Sequence, residues 1–285
     1  MQATNENTTN PEATIIPAQR IVKVFERAKK EGRGVLIPYF MSGYPSADQS
    51  VKIVLAAAEG GADIIELGMP FSDPLADGAT IQHAGQIALE RGMTIKGCMQ
   101  VAHQVAAQAD VPLILMGYYN PILAYGLERF CKTARESGIC GLIVPDLPPE
   151  EAMPLRAAAM QEGITLIFLI PPTAPNERIA RVVELTASGP GGFIYCVSLS
   201  GVTGSRDKVP SHLHSFIERV RSYTNNTGIP LAVGFGLSTP QHIASITSYA
   251  EGAVVGSALV NLIDRYEEDG QIEAVRQYIQ SLAQK

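Results

Sequence analysis

The chain alternates eight times between a short β-branched run and a longer amphipathic one, and that rhythm restricts it to very few folds. From about Gly34 onward the candidate strands are Val35 to Phe40, Ile64 to Leu67, Pro112 to Gly117, Gly141 to Pro145, Thr165 to Ile170, Phe193 to Val197, Leu231 to Gly234 and Gly252 to Gly256. Intervals of roughly 20 to 40 residues each hold a helix of ordinary length, and Thr80 to Gln108 has room for two. Ser46 with Gln49 forms a capping box ahead of Val51, Val54, Leu55 and Ala58, Gly60-Gly61 ends that helix, and Thr239-Pro240 supplies an N-cap followed by proline. A helix from Ile21 to Lys30 precedes the first strand, where it can close the bottom of a barrel. Eight alternations without a break in composition predict a single closed (β/α)8 TIM barrel over residues 17–285. An open doubly wound sheet would also alternate. It would normally carry a G-x-G-x-x-G turn after its first strand, and that turn here reads Met41-Ser42-Gly43-Tyr44-Pro45.

Composition narrows the partners. With 46% hydrophobic and 18% charged residues the chain can form a well-cored globule, and a net charge of −6 without basic clusters leaves no electrostatic footprint for nucleic acid or an anionic membrane. No apolar run approaches the ~20 residues that span a bilayer. Residues 1–16 are polar and Asn/Thr-rich, with Glu6 and Glu12 but no Arg or Lys, and read as a disordered tail rather than a transit peptide. Cys98, Cys131, Cys140 and Cys196 lack C-x-x-C spacing and lie in or beside apolar segments, as expected of reduced cysteines in a cytoplasmic protein. His83, His103, His212, His214 and His242 form no metal-ligand pattern, so no dedicated metal is expected on this chain.

Within the second candidate strand lies Glu66, an ionisable carboxylate in an apolar run, and Asp77 follows shortly downstream, close to a glycine-rich turn. An unpaired carboxylate inside a parallel strand costs several kcal/mol unless it is neutralised or faces a polar cavity. Alternation puts Ile64 and Glu66 on one face and Ile65 and Leu67 on the other, the latter against helices. Glu66 is therefore expected to point into a pocket, although a satisfied core acid or a helix end would also fit the residues alone. Asp77, before Gly78, has a plain reading as a turn residue.

Catalytic groups of a barrel come from the C-terminal ends of its strands, and a phosphate site is often built after the seventh and eighth. The sixth strand here leads into Ser200-Gly201-Val202-Thr203-Gly204-Ser205, the seventh ends in Gly234-Phe235-Gly236 and the eighth in Gly256-Ser257. Glycines let backbone N–H groups approach an anion, and a helix starting at Ser257 would add its positive end and a hydroxyl. Each glycine pair alone can mark no more than a turn.

Ile64 to Gly78 with Ile81-Gln82, then Ser200 to Gly204, Gly234 to Gly236 and Gly256-Ser257, resemble the tryptophan synthase α subunit family from about Ile21 to the C-terminus. The most specific element is Pro70 to Gly78, PFSDPLADG. The resemblance implies a lyase of L-tryptophan biosynthesis that cleaves indole-3-glycerol phosphate to indole and glyceraldehyde 3-phosphate. It implies Glu66 as general acid/base and Asp77 as second catalytic acid. Tyr39, Tyr118, Tyr195, Thr203, Gly204, Phe235, Gly236, Gly256 and Ser257 would contact substrate, and Asp73, Asp146 and Thr203 would serve loop closure or the partner interface. Tyr39 stands where relatives often carry phenylalanine. The implied partner is the tryptophan synthase β subunit in a heterotetramer of two α and two β chains, with pyridoxal phosphate only on the β partner.

The residues suit that chemistry. Retro-aldol cleavage needs an electron sink, usually a lysine imine or a divalent metal; here the eight lysines fall outside the strand ends and no metal-ligand cluster is present in the sequence. An indole protonated at C3 supplies its own sink. An acid poised near neutrality delivers that proton, and Asp77, kept ionised by a polar loop, would accept the ring N–H. Competing readings are a free-standing lyase that releases indole, a regulatory module that binds the substrate without turning it over, and a phosphosugar isomerase or epimerase on the same barrel. Residues Ser200 to Val209 would form a lid over the substrate.

Overall fold

The structure is a computed structural model that describes residues 16–197, 211–234 and 236–283. Thr203, Gly204 and Phe235, the expected lid and most of residues 1–16 lie outside the described residues. The strands are β1 (Val35–Met41), β2 (Ile65–Gly68), β3 (Leu113–Met116), β4 (Ile139–Ile143), β5 (Thr165–Ile167), β6 (Leu169–Ile170), β7 (Ile194–Val197), β8 (Leu231–Gly234) and β9 (Gly252–Val255). The helices are α1 (Pro17–Lys30), α2 (Ala47–Gly60), α3 (Ala79–Glu90), α4 (Ile95–Ala106), α5 (Tyr119–Tyr125), α6 (Leu127–Glu136), α7 (Met153–Gln161), α8 (Asn176–Ala187), α9 (Ser211–Thr224), α10 (Pro240–Thr247), α11 (Ser257–Ile263) and α12 (Glu268–Leu282).

All strand pairs are parallel, in the order β5-β4-β3-β2-β1-β9-β8-β7-β6. The two ends of that order, β5 and β6, are halves of the single expected strand Thr165 to Ile170, so the sheet closes on itself as a (β/α)8 barrel. The strand changes neighbours at Phe168: Ile167 pairs with Ile143 of β4, and the Phe168 carbonyl accepts from Tyr195 N of β7 at 3.0 Å. A continuous apolar run cannot announce such a switch.

Inside the barrel, Val35, Ile37, Ile64, Ile114, Cys140, Ile143, Ile167, Phe193, Ala232 and Val254 pack with Ile21, Val24, Phe25 and Ala28 of α1. The N-terminal helix is thus the stopper of the barrel floor. It begins earlier than expected, with Pro17 in its first turn. Outside, Ile65 and Leu67 join the larger apolar layer between strands and helices. Both strand faces are therefore apolar, and polar residues within the strands stand out.

Two polar contacts fix the geometry. Arg33 reaches Asp63 with two hydrogen bonds of 2.7 and 2.8 Å, and the same carboxylate accepts from Leu36 N at 3.0 Å, pinning the starts of β1 and β2 together. Ser46 caps α2 by accepting from Gln49 N. The expected capping box is only half formed, because the Gln49 side chain instead donates to the Glu268 carbonyl and to Gln271 of α12. Packing of α12 on α2 overrides the local motif. The helix ends at Gly60 with Gly61 at φ 105°, and Thr239 caps α10 by accepting from His242 N.

Candidate active site

Strand β2 carries Glu66 on the same face as Ile64, so its side chain enters the barrel above the apolar floor, as alternation requires. The residue is 1% exposed, and neither carboxyl oxygen has a hydrogen-bond partner among the described residues. Burial first, and the charge of Asp77 second, push its pKa up to about 8. Glu66 therefore carries a proton at neutral pH in the free protein.

Asp77 lies in the loop between β2 and α3. Its pKa is pushed up to about 6 by burial, against which a hydrogen bond from the Tyr118 hydroxyl works. The loop is less polar around this carboxyl than its sequence implies, since Tyr118 covers it from beyond β3 and the Phe71 ring packs 5.2 Å from the Tyr118 ring. Asp77 is still mostly ionised at pH 7. The two acids are thus split by their surroundings, one protonated and one charged.

Tyr118 does more than line a pocket. Its hydroxyl accepts from Ala76 N at 2.9 Å while donating to Asp77, so it holds the loop and the carboxyl together. Gln82, in the first turn of α3, braces the same loop by donating to the Asp77 and Pro74 carbonyls at 2.9 and 3.3 Å. Its place just past Gly78 was the only sequence signal for this role.

Tyr39 lies on the neighbouring β1 and Tyr195 on β7, on the opposite side of the barrel, and burial together with the charges of Glu66 and Asp77 raises both phenols. Each is accommodated by a glycine on the neighbouring strand. A Cβ at Gly68 would overlap the Tyr39 hydroxyl, and one at Gly234 would overlap the Tyr195 hydroxyl. Gly234, expected in an anion-binding turn, here makes room for an aromatic ring.

Across the mouth, Gly256 precedes α11, which starts at Ser257. A helix start presents N–H groups that its own ladder does not use, the feature expected for a phosphate. A Cβ at Gly256 would make only ordinary contact with Tyr39, at 3.5 Å. Gly236, at φ 57°, lies in the neighbouring turn. The far end of α11 is held by a hydrogen bond between the Tyr44 hydroxyl and Asp264.

The other two expected acids are exposed. Asp73 accepts from the Ser72 hydroxyl at 2.6 Å. Asp146 accepts from Tyr119 N at 2.8 Å and so caps the start of α5. Among the described residues no group of three or more His, Cys, Asp or Glu is placed to hold a metal ion, and no helix is long and apolar enough to cross a membrane.

Comparison with known proteins gives the family. The family model described as tryptophan synthase alpha chain matches residues 25–285. The chain is 44% identical over 264 residues to the tryptophan synthase alpha chain of Roseiflexus castenholzii, covering 92% of this chain and 98% of that one. It is 46% identical to that of Chloroflexus aurantiacus, covering 92% and 97%. A solved structure of Mycobacterium tuberculosis tryptophan synthase superposes with a TM-score of 0.83 at 35% identity, covering 92% of this chain and 96% of that one.

Proposed function

The chain belongs to the tryptophan synthase alpha chain family, whose reaction is the retro-aldol cleavage of indole-3-glycerol phosphate, and from that premise we propose that Glu66 and Asp77 perform the cleavage here. The observation that carries this reading is the pairing of a buried, unpartnered carboxyl near pKa 8 with a second carboxyl near 6 at the C-terminal end of β2.

The steps follow from those protonation states. Protonated Glu66 gives its proton to indole C3, producing an indoleninium. Ionised Asp77 accepts the ring N–H and stabilises the positive charge that develops there. Glu66, now a carboxylate, takes the proton from the hydroxyl on the glycerol carbon bonded to the ring. The C–O bond becomes a carbonyl, the carbon–carbon bond breaks, and its electron pair restores the indole. Glyceraldehyde 3-phosphate and indole leave with Glu66 protonated again, so protons and electrons balance. Tyr39 and Tyr195 wall the indole end, and the turns at Gly236 and Gly256-Ser257 take the phosphate through backbone amides.

The partner in this reading is a β subunit carrying pyridoxal phosphate, in a heterotetramer within the cytoplasm. Supporting it are large apolar side chains left exposed on segments after three adjacent strands: Leu75 at 94% after β2, Leu123 in α5 after β3, and Met153 at the start of α7 after β4. Apolar side chains grouped at one end of a barrel give a partner a surface to cover. Asp73 and Asp146 lie on the same side, after β2 and β4. The test is to incubate the purified chain with indole-3-glycerol phosphate, with and without a β subunit, and to follow indole. Indole formed by the chain and accelerated by the partner supports the reading. No indole in either state refutes it.

A further inference from the structure

The cleavage steps leave one titratable group of the same cluster unused, the hydroxyl of Tyr39. Tyr39 stands opposite Glu66 in the β1–β2 register, and both side chains point into the barrel. Its ring crosses to β2, where the absence of a side chain at Gly68 admits the hydroxyl. Gly68 is two residues beyond Glu66 on the same face, so the hydroxyl lies one pleat above Glu66, toward the loop that carries Asp77. Both carboxyls act on it, Asp77 more strongly than Glu66.

The hydroxyl is poorly satisfied. Its hydrogen-bond contact among the described residues is Met41 Sδ at 4.0 Å, a weak acceptor. Glu66 has no donor at all among them. A buried O–H without an oxygen acceptor, beside a buried carboxyl without a donor, is an arrangement that native proteins rarely tolerate unless function uses it. The groups that face the two acids are Tyr39 from β1, Tyr118 at the start of α5 and Tyr195 from β7; no cation among the described residues acts on either acid. Tyr118 is already committed to Ala76 N and Asp77, and the Tyr195 hydroxyl lies over Gly234 on another strand.

We propose that the Tyr39 hydroxyl is a positioning group for Glu66, turning its O–H from Met41 Sδ to the Glu66 carboxylate as the proton leaves Glu66 for the substrate and turning back when it returns. This rests on the reading of the two acids as the reacting pair. A donor supplied in this way favours the ionised form of Glu66, so the pair titrates lower than it would with phenylalanine at this position.

The experiment is Tyr39→Phe, a nearly isosteric change, with the pair's titration followed by NMR of chain labelled with ¹³C at its carboxyl carbons. Glu66→Gln and Asp77→Asn assign the signals. At least one apparent pKa of the pair should rise by about one unit, because a hydrogen bond to a charged group is lost. The pH profile of kcat/KM should move upward with it while KM stays close to the parent's. Fluorotyrosine at position 39, a stronger donor, should move the titration the other way, and it supplies the test should the phenylalanine variant fail to fold. A titration that coincides with the parent's overturns the proposal and leaves Tyr39 as a packing residue. Failure of the underlying reading looks different: Glu66→Gln would then cleave at the parental rate, whatever Tyr39→Phe does to the titration.

Discussion

Glu66→Gln should change how stability depends on pH, by an amount that follows from burial of the carboxyl. In the native chain its pKa is about 8, against 4.5 for an ordinary glutamate. The native state keeps a proton that the unfolded chain releases, so rising pH favours unfolding from about pH 4.5 upward, and the loss levels off once the native carboxyl also ionises above about 8. At pH 7 this amounts to about 3 kcal/mol, a large part of the ~5–15 kcal/mol that holds a domain folded. Glutamine has the same shape and does not titrate. Its own burial cost is independent of pH, so it cancels when the two chains are compared at several pH values. Urea unfolding of both, from about pH 4.5 to 8, should show the parent losing about 3 kcal/mol relative to the variant by pH 7. A difference that stays flat across that range would mean that Glu66 ionises normally, and the argument for a buried proton donor would fail.

Two further outcomes bear on the site. Asp77 must be ionised and Glu66 protonated at the start of the reaction, so kcat/KM of the parent should fall below about pH 6 and above about pH 8; Asp77→Asn should lower cleavage by ~10²-fold or more, remove the acid limb and move the basic limb down, because the charge that helps raise Glu66 is gone. Gly256→Asp puts a carboxylate beside the start of α11 without a steric clash at Cβ, so substrate binding should weaken at least tenfold, about 1.4 kcal/mol, while indole binds nearly as before; calorimetry with both ligands checks this, and unchanged substrate affinity would place the phosphate elsewhere.

The barrel was legible because parallel strands buried on both faces must be written as β-branched runs, and Val35 to Phe40 or Leu231 to Gly234 can be read in no other way once eight of them recur. The inward aim of Glu66 was legible for the same reason, since a period of two leaves it the face of Ile64. What could not be read depends on residues distant in sequence. Gln49 has the spacing of a capping box, yet its side chain is claimed by α12, 219 residues away at Glu268. Asp77 was expected in a polar loop, yet Tyr118, which precedes α5, covers it and takes it out of water. Gly234 reads as an anion-turn glycine and Gly68 carries no signal of its own; only the packed barrel reveals that they give space to Tyr195 and Tyr39. The family resemblance pointed to Glu66 and Asp77 through Ile64 to Gly78, and the chemistry asked for one protonated and one ionised acid; only the fold shows what separates them, full burial at Glu66 and the Tyr118 hydroxyl at Asp77.

The central claim is that Glu66 carries the proton, and single-turnover cleavage by Glu66→Gln tests it most directly. Indole release from bound indole-3-glycerol phosphate should fall by ~10² to 10⁴-fold, with the substrate still held, because the turns proposed for the phosphate follow other strands, β8 and β9. Indole formed at close to the parental rate would contradict the account.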